Sequence, residues 1–235
     1  MSYLSTITNL FYFPFAQAEK IIGKGHLASD YFDLPPFCKI QVDASISVHL
    51  QKGERQEVIL RGYENLLDYA RLEVFNDTLS VRLLDGRYRK MNLELQVILP
   101  EIRQIITNDA GSVYVSQFEA FDSLDLEVNG AGSIKFLDAV TIDRHLFAGI
   151  RGSGQIQLTG ACDQQKVIVE GAGCFKGIGL VSQNAEAKAL GAGHIKLTAN
   201  KTLDVYIEGV GNIYFQGYPS IEKWTSGIGR LIDKN

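Results

Sequence analysis

A glycine triplet of the form Gly-x-Gly recurs through the second half of the chain at nearly constant spacing. The steps between six copies are 22, 19, 20, 18 and 18 residues, and the copies begin at Gly130, Gly152, Gly171, Gly191, Gly209 and Gly227. One step upstream, DAGSV (109–113) takes the same place with Asp109 in the first glycine position, which makes seven units. Self-similarity at this period indicates a repeat architecture, in which each unit buries its apolar face only against its neighbours.

Apolar and polar residues alternate on both sides of each triplet. Two residues after the second glycine, the position is apolar in every unit: Val113, Ile134, Ile156, Phe175, Ile195, Ile213 and Leu231. A second apolar column precedes the triplet and consists of Val128, Ile150, Val169, Ala189 and Ile207. Such period-2 alternation is typical of a strand with one buried face. Each unit is therefore expected to be a strand, a glycine corner, a second strand and a polar return such as DAVTIDRH (138–145).

Stacking of equivalent units predicts an all-β fold, a single-stranded β-helix (β-solenoid) with rungs of about 20 residues and Gly-x-Gly corners. Glycine suits a corner because it adopts positive φ without a Cβ clash. The spacing does not fit a nucleotide-binding loop or a calcium-binding repeat. A P-loop sequence is absent, no amphipathic helix follows GAGCFKG (171–177), and the corners lack the aspartates of calcium-binding nonapeptide repeats.

Three regions are expected along the chain: a signal peptide or apolar segment (1–20), an N-terminal β region or irregular solenoid start (21–105), and a solenoid with seven Gly-corner repeats (106–232). Residues 37–105 alternate like strands but lack the corner, so both irregular rungs and a small capping sheet stay open. ENLLDYARLEV (64–74) is expected to be one helical turn or a connecting strand. Because the end of a solenoid needs cover, Trp224 and the tail RLIDKN are expected to provide it.

The first eighteen residues, MSYLSTITNLFYFPFAQA, contain an apolar stretch that ends in an Ala-x-Ala cleavage pattern. We expect export to the periplasm, outer membrane or cell surface, and a cytoplasmic location stays open because no basic residue precedes the stretch. The segment is too short and too polar to span a bilayer, so no transmembrane span is expected. A net charge of −4 without clustered basic residues argues against nucleic acid as a partner.

Cysteine and histidine patterns indicate neither a cofactor nor a metal site. Cys38, Cys162 and Cys174 show no C-x-x-C spacing, and free thiols are expected in preference to a Cys162–Cys174 bridge. The four histidines are dispersed, and the G-x-S-x-G motif of serine hydrolases is absent. No catalytic residues are therefore predicted.

An alternative function is that of a solenoid carbohydrate-active enzyme, either a lyase or a hydrolase. A glycosidase needs two carboxylates about 5–10 Å apart, and Glu170 and Glu208 share an outward column with Leu190 between them. Rungs lie about 4.8 Å apart, so two rungs separate these carboxylates by about 9.6 Å. Charged residues on an outward strand face are usually only solvated, and the enzyme hypothesis therefore stays secondary.

One outward column after the corner forms the candidate binding face and consists of Lys135, Gln157, Lys176, Lys196 and Tyr214. In stacked rungs these side chains would form a flat, mildly basic row suited to a glycan or an acidic surface protein. Another interpretation stays open, in which the row only keeps the protein soluble and discourages edge-to-edge sheet growth. A third is an internal scaffold or homo-oligomer assembled end to end.

The order of these motifs is similar to that of a bacterial family. IIGKGHLASDYFDLPPFCKIQVDASISVHLQKGERQEVILRGYENLLDYARLEVFNDTLSVRL (21–83), the recurrent GAGSI, GSGQI, GAGHI and GVGNI, and the closing SGIGRL resemble the putative auto-transporter adhesin, head GIN domain family, a domain of unknown function. The resemblance covers about residues 21–232 and implies a β-helix, bacterial export and an adhesin-like role without known catalytic residues. Two small departures are the early corner Gly23-Lys24-Gly25 and DASISV (43–48), where the family tends to have a glycine.

Overall fold

A computed structural model describes residues 20–235, so the segment predicted at 1–20 lies outside the described residues except for Lys20. The first half contains β1 (Lys20–Ile22), β2 (Leu27–Phe32), β3 (Lys39–Asp43), β4 (Ser47–Lys52), β5 (Glu57–Tyr63), α1 (Glu64–Leu67), β6 (Ala70–Phe75), β7 (Thr78–Leu83), β8 (Arg87–Arg89) and β9 (Leu93–Leu99). The second half contains β10 (Gln104–Thr107), β11 (Ser112–Ser116), β12 (Ala120–Gly130), β13 (Ser133–Gly152), β14 (Gln155–Gly171), β15 (Cys174–Gly191), β16 (His194–Gly209), β17 (Asn212–Gln216), β18 (Ser220–Gly227) and β19 (Leu231–Asp233). Within this range no helix is long and apolar enough to cross a membrane.

Within residues 20–235 the chain winds into a β-solenoid of about six turns, which confirms the predicted fold class. Successive rungs pair in parallel and in the register that the sequence columns predict, so that Ile134 lies opposite Ile156, Ile156 opposite Phe175, and Phe175 opposite Ile195. All four of these side chains are fully buried. The repeat therefore forms a continuous apolar ladder inside the coil, in which each rung covers the apolar edge of the next.

Each rung has three straight segments, which build three parallel sheets. The leading sheet precedes the glycine corner and contains residues 145–152, 164–171, 184–191, 202–209 and 220–227. The trailing sheet follows the corner and contains residues 133–135, 155–157, 174–177, 194–198 and 212–216. The return sheet lies between trailing and leading segments and contains residues 139–142, 159–162, 180–182 and 198–199.

The return sheet differs from the polar connection that the sequence suggests. Val140 and Ile142 are buried, and this segment pairs with residues 159–162 of the next rung. Only four residues alternate in such a segment, and polar residues flank it. The alternation is therefore too short to stand out from a loop.

The corners require glycine for two reasons: the backbone has a positive φ there, and the backbones of neighbouring rungs approach each other closely. Gly191 has a φ of +122° and lies opposite Gly171 on the previous rung. A Cβ atom on Gly191 would lie 2.8 Å from the Gly171 carbonyl oxygen, which already accepts a 2.8 Å hydrogen bond from the Ala192 N–H. A side chain at this corner would therefore force the two rungs apart.

Four residues after the second glycine of the triplet, most rungs carry a large apolar residue: Phe136, Leu158, Leu197 and Phe215. Gly177 takes this position in its own rung, and an exchange of side-chain volume with Phe175 explains the exception. Phe175 is fully buried on the same rung, and its ring occupies the space next to Gly177. A Cβ atom on Gly177 would collide with that ring. The large residue two positions earlier thus fills the volume that a leucine or phenylalanine fills on other rungs.

The N-terminal region combines the two arrangements that the sequence left open. β3 and β4 continue the ladder in parallel with β10 and β11, and β7 and β9 form the next rung beyond them. Strands β6, β5 and β2 then add in antiparallel fashion. The stretch 64–74 likewise holds both a helical turn, α1, and a strand, β6. The domain boundary at residue 105 stays a prediction.

At the C-terminal end, all eight residues of β18 are exposed. The expectation that Trp224 covers this end is wrong, because its ring stacks on Tyr206 outside the leading sheet. Lys223 instead takes the inward position opposite Val205. An inward-pointing charge on an edge strand opposes pairing with a further strand.

The three cysteines are free, as expected from their spacing. Cys162 is buried in the return sheet, opposite Ser182. Burial, with a smaller contribution from Asp163, raises the pKa of the Cys162 thiol to about 12. This residue therefore remains a neutral core thiol, as its place in the apolar interior requires.

Candidate binding face

The trailing sheet places the five candidate residues side by side. Lys135 lies opposite Gln157, Gln157 opposite Lys176, Lys176 opposite Lys196, and Lys196 opposite Tyr214. We call these five residues the basic row. Their chain neighbours at 134, 156, 175, 195 and 213 are buried, so the alternation of the strand directs the basic row outward. The structure therefore brings together every residue of the candidate face.

Aromatic rings lie at both ends of the basic row. Tyr114 is opposite Lys135, and its ring stacks on that of His49, with centroids 5.1 Å apart and planes at 18°. At the other end, the ammonium groups of Lys196 and Lys234 lie 5.8 and 5.5 Å from the Tyr214 ring centroid. These are cation–π distances.

The sequence interpretation missed Tyr114 and His49. A usable signal exists, since SVHL (47–50) and SVYV (112–115) share the alternation of the repeat. The segment that precedes His49 lacks the Gly-x-Gly triplet that marks the other rungs. The alignment of His49 with Tyr114 follows from the pairing of β4 with β11.

The charge of the basic row is not neutralised by neighbouring side chains. Among the described residues, Lys135, Lys176 and Lys196 take part in no ion pair. Lys176 and Lys196 are both exposed and lie directly opposite each other on adjacent rungs. Like charges in this cross-strand position repel and destabilise the sheet. The row is thus a band of uncompensated positive charge on a protein with a net charge of −4.

Several charged groups on the leading sheet neutralise one another. Lys166 Nζ and Lys188 Nζ lie 2.9 and 2.7 Å from the two carboxylate oxygens of Glu186. Partial burial of Glu186 opposes ionisation, yet hydrogen bonds from both lysines outweigh it and lower the pKa of this carboxyl. Arg151 similarly lies between Glu127 and Glu170, at 3.2 and 3.4 Å.

The carboxylates considered for a hydrolase have separate partners. Glu170 faces Arg151, whereas Glu208 accepts a 3.4 Å hydrogen bond from the Tyr206 hydroxyl. Leu190 lies on the rung between them. Each carboxylate therefore has its own local contact, and an apolar side chain stands where a shared substrate bond would have to sit. In residues 20–235 no three side chains of His, Cys, Asp or Glu come together as metal ligands would.

A cleft of about 590 Å³ lies where the N-terminal region meets the solenoid, between the loop at 100–103 and the start of β12. Its floor includes the stacked rings of Phe118 and Phe121, 5.5 Å apart. Arg103 at its edge is paired with Glu101 at 2.6 Å, and Asp122 is paired with Arg144. Lys39, Lys52 and Asp125 also line the cleft and take part in no ion pair among the described residues. The cleft therefore holds unpaired charges of both signs, whereas the unpaired charges of the basic row are all positive.

The model of the family described as putative auto-transporter adhesin, head GIN domain, matches residues 36–219. A putative adhesin from Bacteroides fragilis has a similar structure, with a TM-score of 0.85, 21% identity, and coverage of 91% of this chain and 100% of the other. A putative lipid binding protein from Parabacteroides distasonis gives a TM-score of 0.76 at 21% identity, covering 92% and 100%. A putative adhesin from Parabacteroides merdae has a TM-score of 0.72 and 19% sequence identity, with coverage of 93% of this chain and 100% of the other. No curated protein sequence matches the chain.

Proposed function

The chain belongs to the putative auto-transporter adhesin, head GIN domain family, and from this premise we propose that it is an exported, non-catalytic binding protein whose basic row holds an acidic glycan. Family membership and the neighbouring adhesin structures support an adhesin-like surface protein. The observation that carries the choice of ligand is the alignment on one face of lysines that have no ion-pair partner in the described chain. Such a row attracts an anionic polymer.

The pairing of charges on the leading sheet supports a binding role for the basic row over a role in solubility alone. A row that only kept the sheet soluble could use paired charges, as Lys166, Glu186 and Lys188 do. The basic row instead retains the repulsion between Lys176 and Lys196, which costs stability. A bound anion would relieve that repulsion.

The geometry of the row fits a repeating ligand. Adjacent rungs lie about 4.8 Å apart, so the row offers cationic or polar donors at regular intervals along the solenoid axis. Gln157 supplies an amide donor between Lys135 and Lys176, and Tyr214 offers an aromatic ring at one end. A polysaccharide with carboxylate or sulfate groups along its length can engage several of these positions at once.

Reversing two charges tests this proposal. The double variant Lys176→Glu/Lys196→Glu is expected to weaken binding of polygalacturonate or heparin about tenfold or more, because each exposed charge contact contributes about 0.2–1 kcal/mol and each reversal replaces attraction by repulsion. Affinity is measured by surface plasmon resonance at low and moderate salt, since exposed charge contacts weaken as salt rises. Neutral dextran is the negative ligand.

The matched control is Lys24→Glu/Lys201→Glu, which changes the net charge equally at two exposed lysines outside the row. Equal losses in both double variants would show that only overall charge matters. The proposal would also be contradicted if Lys176→Glu/Lys196→Glu still bound acidic polysaccharide as the parent does. The same holds if the parent protein bound acidic proteins but no polysaccharide.

Export is tested separately by fractionating the native cells and sequencing the mature N-terminus. The proposal expects the chain in the envelope or the medium, beginning near Glu19 after cleavage at the Ala-x-Ala pattern (16–18). A protein retained in the cytoplasm with Met1 intact would exclude a surface role. It would favour an internal scaffold instead.

A further inference from the structure

A stacked aromatic pair lies on the leading sheet, away from the basic row. Lys188, Tyr206 and Trp224 occupy one outward row on consecutive rungs. The rings of Tyr206 and Trp224 have centroids 4.1 Å apart and planes at 8°. Trp224 is nevertheless 48% exposed. Exposed apolar surface that is rimmed by polar residues is one mark of a ligand-binding groove.

The position of Trp224 at the end of its ladder leaves one face of the indole open. Strand β18 pairs with β16 and, within residues 20–235, with no other strand. Tyr206 therefore covers one ring face, and no further rung of the leading sheet covers the other. This open face is a flat apolar platform at the C-terminal end of the solenoid.

A shallow groove of about 350 Å³ leads from Trp224 along the sheet. Its other side is an outward row of three carboxylates on the same rungs: Glu186, Asp204 and Glu222. Glu186 is held by two lysines. Asp204 and Glu222 have no ion-pair partner among the described side chains, so their oxygens are free to accept hydrogen bonds from a ligand.

The combination of an aromatic platform and free carboxylate acceptors matches the chemistry of a sugar. A sugar ring presents C–H groups on its faces, which pack on an aromatic ring, and hydroxyl donors around its edge. The charges of the lining nearly balance, because Lys188 and Lys223 accompany Glu186, Asp204 and Glu222. The groove therefore offers no net attraction to uronates or sulfated sugars. An uncharged sugar satisfies both features.

We propose that this groove is a second glycan site, which takes a neutral oligosaccharide with one sugar ring on the open face of Trp224. Glu222 and Ser226 lie two residues to either side of Trp224, so strand alternation places them on the same face, next to the bound ring. The following sugar unit lies along the groove beside Asp204. The site is on a different sheet from the basic row and does not depend on that row binding an acidic glycan.

A second copy of the chain is the other candidate for this end of the solenoid. The inward position of Lys223 on β18 opposes edge pairing with another strand. The free carboxylates also lie in the groove and not along the strand edge. Both features favour a glycan in preference to self-association.

The chain offers a direct probe, because Trp224 is its one tryptophan. Titration with cellohexaose, chitohexaose or mannohexaose is expected to give a saturable change in tryptophan fluorescence and protection from acrylamide quenching with at least one of them. Asp204→Asn/Glu222→Gln is expected to weaken that affinity about tenfold, because each amide replaces one acceptor oxygen by an N–H donor and removes the charge that strengthens the remaining hydrogen bond. Trp224→Ala is expected to abolish binding measured by calorimetry, whereas Trp224→Phe retains part of it.

The matched control is Tyr218→Ala, which removes an aromatic side chain that is 88% exposed elsewhere on the surface. It should bind the oligosaccharide like the parent protein, as should Lys176→Glu/Lys196→Glu, so that failure of one site is distinguishable from failure of the other. The proposal is overturned if no neutral oligosaccharide alters the fluorescence at millimolar concentration. It is also overturned if the fluorescence follows protein concentration together with dimer formation in sedimentation, which would identify a second copy as the occupant.

Discussion

Gly191→Val is expected to destabilise the solenoid by about 3 kcal/mol or more, because it combines a disfavoured backbone conformation with a steric collision. Gly191 has a φ of +122°, which a β-branched residue adopts only under strain. Its Cβ would lie 2.8 Å from the Gly171 carbonyl oxygen. For a chain of this length, the loss corresponds to a decrease of about 6–12 °C in Tm.

The neighbouring residue supplies the control for this prediction. Ala192→Val adds a similar side chain at an exposed corner position without positive φ. Thermal unfolding of both variants, followed by circular dichroism in the far ultraviolet, separates the corner requirement from a general effect of added bulk. Similar Tm values for the two variants would mean that the corner tolerates a side chain and that the repeat is held by other contacts.

Phe175→Ala is expected to lower the free energy of unfolding by about 3–5 kcal/mol, as large-to-small substitution of a buried phenylalanine does. Phe175 is fully buried, and its ring lies against Gly177, which has no side chain of its own. The truncated rung would therefore lack bulk at both positions, so the cavity cannot be filled locally. Denaturant unfolding measures the loss, and Leu137→Ala, at a residue that is 54% exposed, should change stability far less.

A double-mutant cycle tests the exchange of bulk between these two positions. Gly177→Leu alone should destabilise the protein because the new side chain meets the Phe175 ring. Phe175→Ile/Gly177→Leu recreates the Ile195 and Leu197 pair of the next rung and is expected to recover most of that loss. Coupling energies between contacting residues run from about 0.5 to 3 kcal/mol. Additive effects of the two substitutions would contradict an exchange of bulk between them.

The glycine corners and the buried core both affect the proposed binding face, because they hold the rungs in register. The basic row exists because each lysine lies opposite its counterpart one rung away. A slip of one residue would turn every side chain of a strand to the other face of the sheet. Changes at Gly191 are therefore expected to disturb Lys196 and the row as a whole, even though Gly191 touches no candidate ligand.

The fold class, the corners and the alignment of the basic row were accessible from the sequence alone. In a solenoid the spatial neighbours of a residue are its counterparts about 20 positions away, so the period of the repeat is also the pairing register. Apolar columns such as Ile134, Ile156 and Phe175 then identify the inward face, and the residues between them identify the outward one. Local alternation and global stacking follow the same pattern, which is why the sequence alone predicts it.

Features without a period were decided only by the tertiary structure. The rung formed by β3 and β4 lies between the rung of β10 and β11 and the rung of β7 and β9. The order of these rungs in space therefore differs from their order along the chain. Which charges are neutralised also depends on the reach of long side chains across rungs, as with Lys166 and Glu186. Trp224 stacks on Tyr206 because the pairing of β18 with β16 sets the two side by side on the outward face, and one face of its ring stays open because no later strand pairs with β18 in the described chain. The repeat thus determined the coil, whereas its ends and the partners of its surface charges arose from packing that no periodic pattern records.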